Sequence, residues 1–281
     1  MGSKIEFTKM VASGNDFVIV EFENQKSKIK NFGSLAKEIC SRKYGIGADG
    51  LLVIEKSRVA DFKMHVFNPD GSEAEMCGNG LRCVALFEKS KIKNQKSKIL
   101  KIETKAGILE AIVNKDAVKV KMAEPKDLRM NINLNVGGEK YLVHFINTGV
   151  PHTVLFVKEI KNVDVNGLGR IIRFHHEFLP RGTNVDFVEV RDKGNIFLRT
   201  YERGVEEETL ACGTGAVAAS IISNVKKQIS AVGKFFKINV HTESGEILRV
   251  HFEREKDKFK NVWLEGKARI VFKGVYYYGK E

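Results

Sequence analysis

Proline is scarce in this chain, four residues against 25 glycines among 281, which points to many turns and few rigid linkers. Cysteine is equally sparse. The four present (Cys40, Cys77, Cys83 and Cys212) are too few for a disulfide scaffold at this length. Their spacing fits no zinc pattern such as Cys-x2-Cys, so no metal is expected. No apolar run reaches the roughly 18 residues of a membrane-spanning helix, and no charged-then-apolar leader opens the chain. The expectation is a cytoplasmic protein with reduced thiols and no membrane partner.

What the chain has in excess is positive charge, +12 overall. Much of it lies in two similar lysine tracts, 24–31 (NQKSKIKN) and 91–101 (KIKNQKSKILK). Neither interleaves aromatic residues that could stack on bases, and lysine-rich segments commonly solvate sheet edges. Nucleic acid is therefore not an expected partner, whereas an acidic or zwitterionic small molecule would profit from the charge.

Residues 73–83 read EAEMCGNGLRC. After Gly80, apolar residues at Leu81, Val84, Ala85 and Phe87 recur with helical spacing. Gly78, Asn79 and Gly80 thus stand at a helix N-terminus, where the first N–H groups lack intrahelical partners and a thiolate or other anion is favoured. A buried structural cysteine before a turn would look the same in isolation. A second copy shifts the balance toward the first reading: residues 208–219, ETLACGTGAVAA, again put a cysteine before Gly-Xaa-Gly and an apolar helix. The match extends backward. GADGLLVIE (47–55) aligns with GTNVDFVEV (182–190), and Gly47 to Cys77 spans the same interval as Gly182 to Cys212. MHVFNPDG (64–71) aligns with LRTYERGV (198–205) one position out of step. An internal repeat of this length implies two similar domains.

Short alternating runs fill most of the remainder. Strands are predicted over 5–21 around a Gly-Asn-Asp turn, in GLLVIEKS and DFKMHVFNPDG, as an antiparallel meander over 99–125, and over 139–157. Further strands follow at GTNVDFVEV, GNIFLRTYERG and 236–255, and 261–278 closes with another strand pair. Helices are predicted over 32–45 with Ser34 as N-cap, within 163–178, and after each of Cys77 and Cys212. The class is α+β: two pseudo-symmetric domains, each a mostly antiparallel sheet wrapped around a central helix. The expected halves are 1–128 and 129–281, and the last strands are free to return to the first half.

Six ordered motifs carry a resemblance to diaminopimelate epimerases along nearly the whole chain: FTKMVASGNDF (7–17), YGIGADGLLVIE (44–55), FNPDGSEAEMCGNGLRC (67–83), NTGVPHTV (147–154), GTNVDF (182–187) and YERGVEEETLACGTGAVA (201–218). The resemblance implies an active site in the interdomain cleft. It also implies cofactor-free interconversion of LL- and meso-2,6-diaminopimelate, on the route to lysine and peptidoglycan precursors. A homodimer is expected. Two departures stand out. The family often has Asn where this chain has Val150, and GVEEET before the second cysteine is one residue longer than the usual pattern.

Epimerisation removes a weakly acidic C–H proton from one face of an α-carbon and returns one to the other. Two thiols suit the task when one is thiolate and the other protonated. By resemblance and by the repeat these are Cys77 and Cys212; Cys40 and Cys83 lie inside helical patterns and read as packing. Amides at Gly78, Asn79, Gly213 and Thr214 would support the substrate's α-carboxylate, a role compatible with ordinary helix capping. Asn15, Asn68, Asn184 and Arg203 match family positions that bind the substrate's ends, though the asparagines alone would read as turn residues. His152 and Glu202 match positions beside the thiols, and Glu202 is also a candidate substrate contact. His175 and His176 match no motif. The competing readings are a cofactor-independent racemase of another amino acid, a pyridoxal-phosphate racemase, for which no lysine stands in a suitable context, and a basic nucleic-acid-binding protein, which would leave the paired cysteines unexplained.

Overall fold

Ser13 (φ 49°) and Gly14 (φ 84°) fold β1 (Ser3–Ala12) back on β2 (Asn15–Glu21). Two successive positive-φ residues suit the twist of a two-residue hairpin. The turn therefore lies one residue earlier than the Gly-Asn-Asp expected from the sequence. The computed structural model describes residues 3–23, 29, 31–91, 99–226 and 234–279, so most of both lysine tracts lies outside the described residues. The chain divides into two compact units, Met1–Val120 with Gly266–Glu281, and Lys121–Glu265.

In the first unit, α1 (Phe32–Ile39) connects β2 to β3 (Gly50–Glu55), which lies parallel to it. Asn31 caps α1 by accepting the Ser34 amide at 3.0 Å, so Ser34 is inside the helix rather than its cap. β4 (Phe62–Phe67) is antiparallel to β3, and the short β5 (Glu73–Ala74) leads into α2 (Gly78–Ser90). β6 (Ile99–Thr104) returns parallel to β4, and β7 (Gly107–Asn114) and β8 (Ala117–Lys121) extend it as the expected antiparallel meander. Alternation along β2 and β3 sends side chains to both faces. Phe17, Ile19 and Leu52 pack with Leu81, Val84 and Ala85 of α2; Val18, Val20, Leu51 and Val53 pack with Leu35 and Ile39 of α1.

The second unit repeats this order. β9 (Lys126–Val136), β10 (Glu139–Asn147) and β11 (Pro151–Phe156) form antiparallel neighbours. α3 (Val165–Arg173) connects β11 to the parallel β12 (Asn184–Val190). β13 (Asn195–Glu202) and β14 (Glu207–Thr209) lead into α4 (Gly213–Lys226). β15 (Lys234–Thr242) runs parallel to β13, followed by antiparallel β16 (Ile247–Glu255) and β17 (Lys258–Lys267). α4 is buried at every residue from Gly215 to Asn224, as a helix enclosed by sheet requires.

β18 (Arg269–Tyr278) does not form the closing strand pair expected from the sequence. It pairs antiparallel with β1, while β17 pairs with β16. Ala268 alone separates β17 from β18, too little chain to reverse direction. The repeat accounts for the return: β18 holds beside β1 the place that β9 holds beside β10.

Candidate active site

Each unit places a cysteine at the start of its central helix. Cys77 has extended backbone (φ −140°, ψ 118°) and caps α2: its Sγ accepts the Gly80 amide at 3.4 Å and its carbonyl accepts Leu81 N at 2.8 Å. Sulfur here takes the part that serine or aspartate commonly plays. The half-buried thiol thus faces the positive end of the helix. In front of Gly78 a Cβ would meet nothing within 4 Å, so the first turn opens onto free space.

A chain of polar side chains fixes this helix end. Asn15 donates to Asp49 (3.1 Å) and accepts from Asn79 (2.6 Å). Asn79 accepts in turn from the fully buried Arg82, which also donates to Ser13 at 2.9 Å. Beside it, Asp16 pairs with Lys9 (2.7 Å) and Arg42 (3.0 Å). Asn68 stands apart in the exposed turn after β4, donating to Ser72 Oγ at 3.0 Å, as a turn residue does.

Burial raises the Asp16 carboxyl, but hydrogen bonds from Arg42 and Lys9 outweigh it and hold the group down at about 2. Because the folded value lies below the ordinary 3.8, the stability it contributes is complete above that value and is lost as pH falls toward about 2. Urea denaturation should therefore show Asp16→Asn less stable than the parent at mildly acidic pH, with the gap narrowing as pH falls toward about 2. A gap that does not change with pH would contradict this assignment.

The second helix end is more enclosed. Cys212 is 6% exposed, its Sγ accepting the Gly215 amide at 3.4 Å and its carbonyl accepting Ala216 N at 2.9 Å. The Thr214 hydroxyl lies 3.4 Å from the sulfur and 2.9 Å from Nε2 of His152, whose Nδ1 is 2.7 Å from Asp186. Asp186 and His152 are wholly buried, and Asp186 also accepts the Thr200 hydroxyl at 2.8 Å. Glu202 accepts from Thr209 at 3.0 Å, and burial, above all, pushes its carboxyl up. Burial, then the neighbouring Glu202 and Asp186, push the Cys212 thiol well above its ordinary range. Such a shift favours the protonated thiol.

Asn184 and Arg203 are joined to each other. Asn184 accepts the Arg203 amide at 2.8 Å and donates to the Pro151 carbonyl at 2.8 Å, tying the start of β12 to the turns beside it. Its amide serves the backbone at both ends. The Arg203 guanidinium donates to Arg181 O at 3.3 Å and is half-buried. The longer loop before Cys212 is absorbed in the turn after β13. Glu206 adopts φ 62° and pairs with Arg173 at 3.1 Å, while Glu208 takes Arg199 through two oxygens at 2.6 and 2.7 Å. Neither of these carboxylates contacts the thiol's partners.

Thus Gly78, Asn79 and Asn15 gather with Cys77, and Gly213, Thr214, His152 and Glu202 with Cys212. Cys40 and Cys83 are buried in hydrophobic clusters, and burial pushes the Cys40 thiol up to about 11. The rings of His175 and His176 lie 4.2 Å apart, tilted by 32°, at a short 3₁₀ turn. Asp49, Arg82, Asp186 and Thr200 were not singled out from the sequence. Arg82 sits three residues after Asn79, among the apolar Leu81, Cys83, Val84 and Ala85, and that spacing puts the two polar side chains on one face. Among the described residues no group of three His, Cys, Asp or Glu side chains is arranged to hold a metal ion, and no helix is long and apolar enough to cross a membrane.

The family model described as diaminopimelate epimerase matches residues 7–128 and 144–271. A diaminopimelate epimerase of Aquifex aeolicus is 43% identical, covering 96% of this chain and 97% of its own. One from Hydrogenobaculum sp. is 40% identical over 96% and 98% of the two chains. Among solved structures, a phenazine biosynthesis protein of the PhzF family from Bacillus anthracis superposes with a TM-score of 0.72 at 17% identity, covering 98% of this chain and 99% of its own. A probable proline racemase from Agrobacterium radiobacter superposes with a TM-score of 0.66 at 14% identity, covering 99% and 93%. At these identities the structures speak for the fold alone.

Proposed function

The chain belongs to the diaminopimelate epimerase family, isomerases that act on amino acids, and on that premise we propose that it interconverts LL- and meso-2,6-diaminopimelate without a cofactor, in the supply of lysine and peptidoglycan precursors. One observation carries the reading: both central helices begin with a cysteine whose sulfur accepts the amide three residues on at 3.4 Å. Cys83, buried six residues after Cys77, has Ala218 at the equivalent place after Cys212, so packing alone does not keep a cysteine in both halves.

In this reading each half offers one thiol to the substrate's α-carbon. Cys212, buried beside Glu202 and Asp186, is the acid of the resting enzyme. Cys77, whose helix end favours negative charge, is the base. Cys77 takes the α-proton from one face and Cys212 returns a proton to the other. The first-turn amides at Gly78, Asn79, Gly213 and Thr214 stabilise charge that develops on the α-carboxylate as the carbanion forms. The mechanism needs both sulfurs reduced, which fits a cytoplasmic setting.

The test is exchange in heavy water. Purified protein incubated with LL-diaminopimelate and no added cofactor should incorporate deuterium at the α-carbon and yield the meso isomer, followed by proton NMR and chiral chromatography. Absence of exchange would overturn the proposal. Equal exchange with alanine or proline would replace it with a racemase of another amino acid.

A further inference from the structure

Gly80 and Gly215 occupy equivalent places, three residues after each cysteine, yet they rest on different neighbours. A Cβ on Gly80 would meet the Leu52 methyl at 3.0 Å. A Cβ on Gly215 would meet the Asp186 carboxylate at 2.5 Å and the Thr200 hydroxyl at 3.2 Å. One helix end is seated on a hydrocarbon and the other on a buried acid. A wholly buried carboxylate is costly unless its oxygens are satisfied. Here Thr200 serves one oxygen and His152 Nδ1 the other.

That contact sets the direction of every hydrogen bond beyond it. With Asp186 ionised, Nδ1 of His152 carries a hydrogen, so Nε2 of the neutral ring is an acceptor. The Thr214 hydroxyl donates its single hydrogen to Nε2 and can only accept from Cys212. The chain therefore runs from the Cys212 S–H to the Thr214 oxygen, from the Thr214 hydroxyl to His152, and from His152 to Asp186, at 3.4, 2.9 and 2.7 Å.

We propose that Asp186, through His152 and the Thr214 hydroxyl, governs the proton on Cys212, making Asp186 a positioning residue of the reaction. This rests on the two-thiol reading above and extends it. An epimerase must run both ways, so the sulfur that is acid in one direction must be base in the other. The buried Cys212, held as a thiol by its surroundings, needs a route to the thiolate. The relay supplies one. The S–H bond breaks as a new bond forms from that proton to the Thr214 oxygen, while the original hydroxyl proton passes to Nε2. What remains is a thiolate and an imidazolium, with no proton lost, and Asp186 stabilises the positive ring. Glu202 on β13, the other carboxylate beside the sulfur, raises the thiol through space as Asp186 does, but it accepts from Thr209 and stands outside this hydrogen-bonded chain.

Ultraviolet thiolate absorbance tests this without relying on turnover. It is titrated for the parent, Thr214→Val, Thr214→Ser and Asp186→Asn, each against the same chain carrying Cys212→Ala, so that the difference isolates Cys212. Thr214→Val should move Cys212 ionisation upward by about one pH unit or more, and Thr214→Ser should restore the parental curve. Asp186→Asn should also move it upward. Simple through-space repulsion predicts the opposite sign, because the substitution removes a negative charge near the sulfur. An unchanged curve for Thr214→Val, or a downward shift for Asp186→Asn, would overturn the relay. If Asp186→Asn fails to fold, the valine and serine pair decides. A chain that shows these shifts but does not exchange the α-proton of diaminopimelate would keep the relay and lose the assigned substrate.

Discussion

Cys77→Ala and Cys212→Ala should each abolish epimerisation, with losses of at least about a thousandfold in kcat, because one face of the α-carbon loses its proton donor or acceptor. The serine variants carry more information. A serine hydroxyl can give a proton but is a far poorer base than a thiolate. Cys77→Ser and Cys212→Ser should both epimerise poorly yet fail in different ways. A substrate analogue with a leaving group on the β-carbon separates them, since elimination needs proton removal from one face only. Each serine variant should still eliminate from one stereoisomer and fail on the other, and the surviving isomer should differ between the two. The environments motivate the distinction: Cys77 is half-buried at an open helix end, Cys212 enclosed by His152, Glu202 and Asp186. Equal loss of both isomers in both variants, or full activity in either, would reject the opposed-thiol model.

Much of this site is legible in the sequence because it is written twice. The Cys-Gly-Xaa-Gly pairs mark both helix starts, and Gly47 and Gly182, both at positive φ (77° and 63°), mark the turns before β3 and β12. Asp186 is illegible for a physical reason. In Asn-Val-Asp-Phe-Val, alternation sets Val185 and Phe187 on one face and implies that Asp186 meets solvent on the other. Both faces of β12 are in fact covered. Val185 and Phe187 pack in the cluster of α3, and Val188, on the side of Asp186, packs in the cluster of α4. A strand enclosed on two sides hides a polar residue that a half-exposed one would display. Arg82 is obscured in the same way, as a charge within a helix whose surrounding positions are apolar. The fate of β18 is non-local: its partner, β1, is at the opposite end of the chain, and only the symmetry of the repeat indicates that a strand is needed there.

Arg203→Ala should lower kcat/KM for diaminopimelate about 100-fold, mainly through KM. Arg203 follows directly on Glu202, the carboxylate beside Cys212, and its backbone is fixed by the Asn184 side chain at 2.8 Å. The guanidinium's hydrogen bond to Arg181 O uses one edge of a planar group with five donors, leaving a fork that suits a carboxylate through two parallel bonds. Truncating one side of such a charged pair typically costs about 2–5 kcal/mol. Lysine can supply the charge but not the fork, so Arg203→Lys should recover only part of the loss. The proposed function makes the distal carboxylate its partner, and a double cycle tests that. Calorimetry would compare a non-reacting diaminopimelate analogue with the same analogue lacking its distal carboxylate. Arg203→Ala should weaken the first strongly and the second little, because the weaker ligand has already lost the group that Arg203 serves. Equal weakening of both would place Arg203 at the α-carboxylate or in the support of Glu202, and would leave recognition of the distal end to Asn15, Asn68 and the backbone around Val150.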